Sequence, residues 1–174
     1  YILADNAKRP LVNMSLKAFA DETASESPAP GGGSIAAYIG ALGVALGTMG
    51  ANLSAHKRGW DKRWKKFSDW AEKGQAFQSD LLYLVDEDTN AFNGIIHAVR
   101  LPKKTESEHA ARAIAMSAAT NYAIEVPLRV MRTALDSMVV MEAMAKIGNP
   151  NSASDAGVGA ACARTAVLGA YLNV

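Results

Sequence analysis

The 174-residue sequence contains one cysteine, three histidines, few aromatic side chains and almost no net charge. The lone cysteine, Cys162, cannot close a disulfide within the chain, and such sparing use of cysteine is typical of a cytoplasmic protein. A formal net charge of +1 gives no overall field that would favour nucleic acid or an acidic membrane surface as a partner. His56, His97 and His109 lack the spacing of metal ligands, so the sequence predicts no metal site.

Small residues take the place of aromatic ones in a long uncharged segment. Residues 35–53 contain no charged side chain, which raises the possibility of a membrane span. Gly40, Gly43, Gly47 and Gly50 recur every three or four residues and therefore share one face of a helix. Such a stripe permits close helix packing, either in a membrane dimer or around a buried central helix. Because the segment has few large apolar side chains, we favour the buried helix of a soluble protein and predict no membrane association.

The rest of the pattern is helical, and no strand-like alternation stands out. We expect residues 1–12 to be a linker from a preceding domain and residues 13–174 to form one helical domain. A long helix is predicted from about residue 60 to 99, followed by a capping-box signature at Thr105 and Glu108. Pro127 either kinks the next helix or opens a new one. The predicted fold class is all-α, a helical bundle with long antiparallel helices and a buried Gly/Ala-rich helix.

Three consecutive acids in the long helix face different directions. At about 100° per residue, Asp88 falls among apolar positions that run from Leu81 to Val99, whereas Asp86 falls on nearly the opposite face. Asp86 and Glu87 can therefore face water. A carboxylate on the apolar side is costly unless it is paired or neutralised, and such carboxylates often act as general acids and bases. Periodicity leaves a structural role, pairing with an arginine or capping a neighbouring helix, equally open.

The segment at residues 27–34, SPAPGGGS, is the second candidate site. Its prolines and glycines exclude a helix, and Ser34 is a good N-cap for the helix that follows. Gly31, Gly32 and Gly33 would let backbone N–H groups at that helix N-terminus contact a carboxylate, a phosphate or a ring carbonyl. A turn that merely needs positive φ is the alternative. Three consecutive glycines exceed what a turn needs and favour a ligand.

Two groups of basic residues have different interpretations. Lys103 and Lys104 follow the end of the Asp88 helix and are candidates for a local anion site. A second basic run, residues 57–66, is interleaved with Trp60 and Trp64 and superficially resembles a nucleic-acid patch. We interpret this run as the solvated side of a helix whose tryptophans pack inward, and we predict no nucleic-acid partner.

Four motifs together resemble the formiminotetrahydrofolate cyclodeaminase family: SPAPGGGS at 27–34, LVDEDTNAF at 84–92, RLPK at 100–103 and the stretch 154–174. Their order and spacing make the match specific, and it covers the chain from Asn13 onward. The resemblance implies an all-α homodimer or higher homo-oligomer, often fused behind a glutamate formiminotransferase domain, with residues 1–12 as the tail of that domain. The family usually continues into another helix, so we expect a domain truncated at its C-terminus.

The family's proposed catalytic aspartate coincides with Asp88. The implied reaction converts 5-formiminotetrahydrofolate to 5,10-methenyltetrahydrofolate with release of ammonia, and it needs no metal or redox cofactor. Asp88 would act as general acid/base, while the glycine segment through Ser34 would hold the pterin or glutamyl portion. Lys103 and Lys104 would lie near the tail of a polyglutamylated folate. Two alternatives remain: methenyltetrahydrofolate cyclohydrolase of the same family, and a non-catalytic oligomerisation domain whose glycine stripe forms an interface.

Overall fold

The computed structural model describes residues 9–174, and within that range the chain forms five α-helices and no β-strand. The helices are α1 (Leu16–Thr23), α2 (Gly32–Ala55), α3 (Trp64–Arg100), α4 (Glu106–Ile147) and α5 (Ala153–Tyr171). Short 3₁₀ turns at Asp61–Arg63 and Pro150–Ser152 lead into α3 and α5. The predicted all-α fold is confirmed.

The glycine-rich helix α2 lies at the centre and packs against α3, α4 and α5. It is the one described helix that is long and apolar enough to cross a membrane, and 61% of its most apolar stretch is buried inside the protein. A Cβ at Gly43 would lie 2.7 Å from the carbonyl oxygen of Gly159, and one at Gly47 would lie 2.9 Å from the Sδ of Met141. The glycine stripe is therefore a packing face within the subunit, where backbone approaches backbone.

Helix α4 begins with the predicted capping box and continues through its proline. The Thr105 hydroxyl accepts from the N–H of Glu108, and the Glu108 carboxylate accepts from the N–H of Thr105. Pro127 does not open a new helix, because α4 is one continuous α-helix. Pro127 has no N–H, so the carbonyl of Ala123 lacks its usual helical donor. Full burial of Pro127 provides packing that offsets this loss.

Two side chains that the sequence predicts to face inward are exposed. Trp64 and Val99 are 56% and 46% exposed. Trp64 and Val99 lie near opposite ends of α3, which at 37 residues is longer than the 24-residue α2 on which it packs. The helical period continues past the point where a neighbour is present, so the prediction fails at the ends. Trp60 does pack inward, stacked on Phe67 with ring centroids 5.5 Å apart.

The segment before α1 belongs to the folded unit. Leu11, in the range predicted to be a linker, is buried in the main core, and Val12 packs against that core. Residues 1–8 of the same range lie outside the described residues. Ser15 then caps α1 by accepting a hydrogen bond from the N–H of Ala18.

The first turn of α2 meets the middle of α3. Ser34 has no exposed surface, and it contacts both Val85 and Asp88. A bend with a cis peptide between Ala29 and Pro30 precedes this turn. The crossing of α2 and α3 therefore brings the two predicted site segments together.

We expect Gly43→Ala to lower the free energy of unfolding by about 1–3 kcal/mol, because the new methyl group must displace packed neighbours. The added Cβ would lie 2.7 Å from the Gly159 carbonyl oxygen and 2.9 Å from the Cβ of Cys162. Urea unfolding measures the change. Gly157→Ala on α5 is the control, since a Cβ there meets nothing within 4 Å and alanine favours a helix over glycine by up to about 1 kcal/mol. Equal unfolding midpoints for the two variants would contradict a packing role for the stripe.

Candidate active site

Asp88 holds its carboxylate against the first turn of α2. The Ser34 N–H donates to Oδ2 of Asp88 at 2.9 Å, and the Ser34 hydroxyl lies 3.1 Å from the same oxygen. A Cβ on Gly33 would overlap Oδ1, so this position of the carboxylate requires glycine. Within residues 9–174, Oδ1 receives no hydrogen bond. The protein thus fixes one oxygen of Asp88 by hydrogen bonding and leaves the other without a hydrogen bond from the described residues.

The same contact caps α2, which is the structural role that periodicity left open. Gly31 is the N-cap and offers no side-chain hydrogen bond, so the prediction of Ser34 as N-cap is wrong. Ser34 lies inside the first turn, and its hydroxyl donates to the carbonyl of Val85 at 2.8 Å. A carboxylate from α3 can replace the missing cap because the first-turn N–H groups of any helix lack internal acceptors. Capping uses only Oδ2 of Asp88 and is compatible with chemistry at Oδ1.

A cavity of about 220 Å³ opens beside this carboxylate. Its walls combine a few polar groups with apolar side chains: Pro28, Ala29, Gly31, Gly32, Asp88, Thr89, Ala91, Phe92, Ile95, Ala123 and Asn173. The volume is below the roughly 300–1,000 Å³ of sites that enclose a whole drug-sized ligand. The cavity therefore suits one ring system, with the rest of the ligand outside. Two larger cavities lie near His56. One of about 490 Å³ has no carboxylate in its lining, and one of about 410 Å³ has only Asp61, which is exposed. The cavity at Asp88 is the better candidate because its carboxylate is held in place by Ser34.

Glu87, next to Asp88 in sequence, faces α4 and is held in a hydrogen-bond network. The Tyr122 hydroxyl donates to its carboxylate, and so does the Asn90 amide, at 2.9 Å. Burial opposes ionisation, but hydrogen bonds from Tyr122, Asn90 and Tyr83, with the charge of Arg129, lower the pKa of Glu87 overall. Burial and the neighbouring Glu87 raise the pKa of the Tyr122 phenol. The network joins α3 to α4 beside the cavity, whose wall includes the residue that follows Tyr122.

Asp86 is buried, and the expectation that it faces water is wrong. Only 3% of the surface of Asp86 is exposed. Its Oδ1 accepts from the N–H of Leu11 at 2.9 Å, and its Oδ2 lies 3.4 Å from the N–H of Val12. Helical periodicity assumes one buried face, whereas the N-terminal segment covers a second face of α3. The backbone N–H groups of that segment need acceptors, and Asp86 provides them.

The predicted binding residues fall into two groups. Gly31 and Gly32 line the cavity, while Gly33 and Ser34 lie behind it and position Asp88. The two lysines, Lys103 and Lys104, are exposed in the connection between α3 and α4 and do not line the cavity. Helix α3 ends at Arg100, twelve residues after Asp88 and roughly 18 Å along the helix axis. Within residues 9–174 there is no cluster of three or more His, Cys, Asp or Glu side chains that could hold a metal ion.

Sequence reasoning missed several residues of the cavity wall. Phe92 and Ile95 belong to the apolar positions between Leu81 and Val99, but Phe92 is 43% exposed because it lines the open cavity. Their spacing of four and seven residues from Asp88 places all three on one helical face, and this signal could have identified them. Asn173 gave no such signal, because only the packing of α5 against α2 brings it to the cavity.

Several known proteins are similar to this chain in sequence and in fold. A family model described as formiminotransferase-cyclodeaminase matches residues 15–174. Formimidoyltransferase-cyclodeaminase of Rattus norvegicus is 34% identical over all of this chain, which spans only 32% of that protein, about a third of its length. Methenyltetrahydrofolate cyclohydrolase of Methylorubrum extorquens is 36% identical, over 93% of this chain and 78% of that protein. A crystal structure of formiminotetrahydrofolate cyclodeaminase from Thermotoga maritima superposes with a TM-score of 0.80 at 29% identity, covering 94% of this chain and 77% of that chain.

We expect the stabilising effect of Glu87 to disappear in acid. Its pKa is lowered from 4.5 in the folded protein, so the ionised carboxylate adds stability that is present above pH 4.5 and is lost as the pH falls through the lowered value. Glu87→Gln should therefore be less stable than the parent near neutral pH, and the two unfolding free energies should converge in acid. Urea unfolding measured over a pH series tests this. A stability difference that does not change with pH would contradict it.

Proposed function

This chain belongs to the formiminotransferase-cyclodeaminase family, and on that premise we propose that it is an ammonia lyase acting on 5-formiminotetrahydrofolate. The product is 5,10-methenyltetrahydrofolate, and Asp88 is the general acid and base. One observation carries the proposal: Asp88 lines a ring-sized cavity, and Ser34 holds one of its carboxylate oxygens while the other accepts no hydrogen bond from the described residues. The names of the related proteins support the class of reaction, and the cavity beside Asp88 supports the proposed location.

The proposed chemistry requires one proton to move between two nitrogens. N10 of the folate attacks the carbon of the protonated formimino group on N5, which gives a tetrahedral carbon bonded to three nitrogens. Asp88 takes the proton from N10 and delivers it to the nitrogen that leaves as ammonia. Loss of ammonia leaves the methenyl bridge with its positive charge between N5 and N10. The carboxylate next to this bridge also stabilises the charge as it develops.

The position of Asp88 suits this transfer. Hydrogen bonding of Oδ2 to the Ser34 N–H holds the carboxylate in one orientation, so no reorganisation is needed when the substrate binds. Oδ1 can then meet N10 and the departing nitrogen in turn, because both are bonded to the same carbon. The apolar side chains of Phe92 and Ile95 form part of the wall, and they would exclude water from their side of that carbon once the substrate covers them. This favours attack by a nitrogen of the substrate over attack by water.

The remainder of the substrate extends out of the cavity. Gly31 and Gly32 line the cavity and allow a ring to approach the backbone closely. A separation of roughly 18 Å along α3 makes Lys103 and Lys104 partners for the distant glutamate tail rather than for the ring. Extra glutamates on the tail would strengthen this contact at low salt.

The proposal extends to the protein's associations. The relatives named formimidoyltransferase-cyclodeaminase support a fused or associated formiminotransferase domain. The resemblance to the same family also underlies our proposal of a homodimer or higher homo-oligomer. A metabolic role in the cytoplasm, in the degradation of histidine, follows from the same proposed reaction.

Methenyltetrahydrofolate cyclohydrolase activity is the second candidate. The cyclohydrolase of Methylorubrum extorquens matches this chain over 78% of its own length, a larger share than in the bifunctional relatives. In that reaction Asp88 would activate water for attack on the methenyl carbon. The non-catalytic alternative loses its main argument, because the glycine stripe packs inside the subunit.

Asp88→Asn should reduce ammonia release from 5-formiminotetrahydrofolate by at least about 10²–10⁴-fold, because asparagine cannot accept a proton. Asparagine preserves the size of the side chain and can still accept the Ser34 N–H, so circular dichroism and folate binding should change much less. Parallel assays of ammonia release and of methenyltetrahydrofolate hydrolysis decide between the two candidate reactions.

Asp80→Asn is the matched control for this substitution. Asp80 is exposed on the same helix, about two turns before Asp88. Asp86 is unsuitable as a control because its buried carboxylate holds the N-terminal segment. Near-parental ammonia release by Asp88→Asn, or equal losses in both variants, would assign Asp88 to capping alone.

Gly33→Ala should reduce turnover although it changes no acidic side chain. The added methyl group would overlap the Asp88 carboxylate and force it to rotate away from its present position. Alanine is a better helix former than glycine, so we expect little loss of unfolding free energy beyond that of the displaced cap. Assays of kcat and urea unfolding on the same preparation test this. Full activity in a folded Gly33→Ala protein would show that the observed position of Asp88 is not required.

A further inference from the structure

Asn173 presents a fixed hydrogen-bond acceptor at the mouth of the cavity beside Asp88. Its Nδ2 donates to the carbonyl of Gly169 at 2.8 Å, one turn earlier in the chain. This bond commits the N–H₂ end of the carboxamide to the protein and leaves Oδ1 as the end available to a ligand. A Cβ on Gly32 would lie 3.5 Å from Oδ1, so the carboxamide lies directly over the first turn of α2.

The cavity wall offers other acceptors besides this one. Oδ1 of Asp88 receives no hydrogen bond from the described residues. Ala123 is also in the wall, and its carbonyl lacks a helical donor because residue 127 is a proline. A donor comes from the first turn of α2, where the N–H group of Gly32, a residue of the cavity wall, has no acceptor within the helix. Acceptors therefore adjoin a backbone donor around a space that holds one ring system.

This arrangement matches a planar heterocycle that carries an amino group and a ring N–H next to a carbonyl. The apolar side chains of Phe92 and Ile95 can cover the ring, while its polar edge needs both acceptors and donors. We propose that Asn173 is a specificity-determining residue that accepts a hydrogen bond from the amino edge of the pterin ring. The inference rests on the proposed function, since it assigns the ring of that substrate to this cavity.

The test compares the binding of tetrahydrofolate with that of its analogue lacking the 2-amino group, by titration calorimetry. The parent protein should bind tetrahydrofolate about 10-fold more tightly than the analogue, the value of one good hydrogen bond. Asn173→Ala should lose this preference and bind both ligands with similar affinity, since the acceptor for the amino group is gone. Asn173 is exposed near the end of α5, so its replacement should leave the circular dichroism spectrum unchanged.

Thr165→Ala is the matched control. Thr165 lies on α5, and its hydroxyl donates to the carbonyl four residues earlier, Ala161, at 3.0 Å, as the Asn173 amide does to Gly169. It does not line the cavity, so this variant should keep the 10-fold preference. Equal preference in the parent and in Asn173→Ala would overturn the role of Asn173 and leave the proposed reaction at Asp88 intact. No binding of tetrahydrofolate to the parent protein would overturn the proposed function and this inference with it.

Discussion

The absence of side chains along one face of α2 is the constraint on which both the packing and the candidate site depend. At Gly43 the backbone of α5 approaches so closely that a Cβ would lie 2.7 Å from a carbonyl oxygen. Two turns before Gly40 on the same face, Gly33 leaves the space that the Asp88 carboxylate occupies. Close approach removes water and multiplies van der Waals contacts in the core. At the N-terminus of the same helix it brings a carboxylate to unpaired N–H groups.

Three consecutive acids join three different parts of the structure to α3. Asp86 accepts from the backbone of the N-terminal segment, Glu87 from Tyr122 on α4, and Asp88 from Ser34 on α2. Successive positions on a helix point about 100° apart, so adjacent carboxylates avoid one another and each finds its own donors. Burial of Asp86 and the network around Glu87 use those two carboxylates for structure. Asp88 alone keeps an oxygen free beside a cavity, and the difference lies in the neighbours rather than in the residue type.

The two candidate reactions make similar demands on this site. In each, a nucleophile adds to the carbon held by N5 of the folate, and a proton passes through a carboxylate. The nucleophile differs, being N10 of the substrate for the cyclodeaminase and water for the cyclohydrolase. Access of water to the wall formed by Phe92 and Ile95 is therefore the physical property that separates them. Both a formimidoyltransferase-cyclodeaminase and a methenyltetrahydrofolate cyclohydrolase are similar to this chain, at 34% and 36% identity. This similarity is consistent with a common site adapted by small changes.

Local sequence was sufficient for several features that depend on backbone preference and helical period. The helical class, the capping box at Thr105, the break before α2 and the placement of Asp88 on a face with Phe92 and Ile95 all follow from residues close together in the chain. The resemblance of four short motifs supplied the family. These features need no knowledge of what lies opposite each residue, because propensity and spacing act within a few turns.

Only the tertiary structure decided which groups meet across long separations in the sequence. Burial of Asp86 depends on a segment 75 residues earlier, and Asn173 reaches the cavity through the packing of α5. The continuity of α4 through Pro127 depends on its burial, which local propensity does not include. A periodic pattern specifies the direction of a side chain but does not identify the group that the side chain contacts. The sequence therefore determined the helices and the face that carries Asp88, and packing determined the free oxygen, the cavity and its walls.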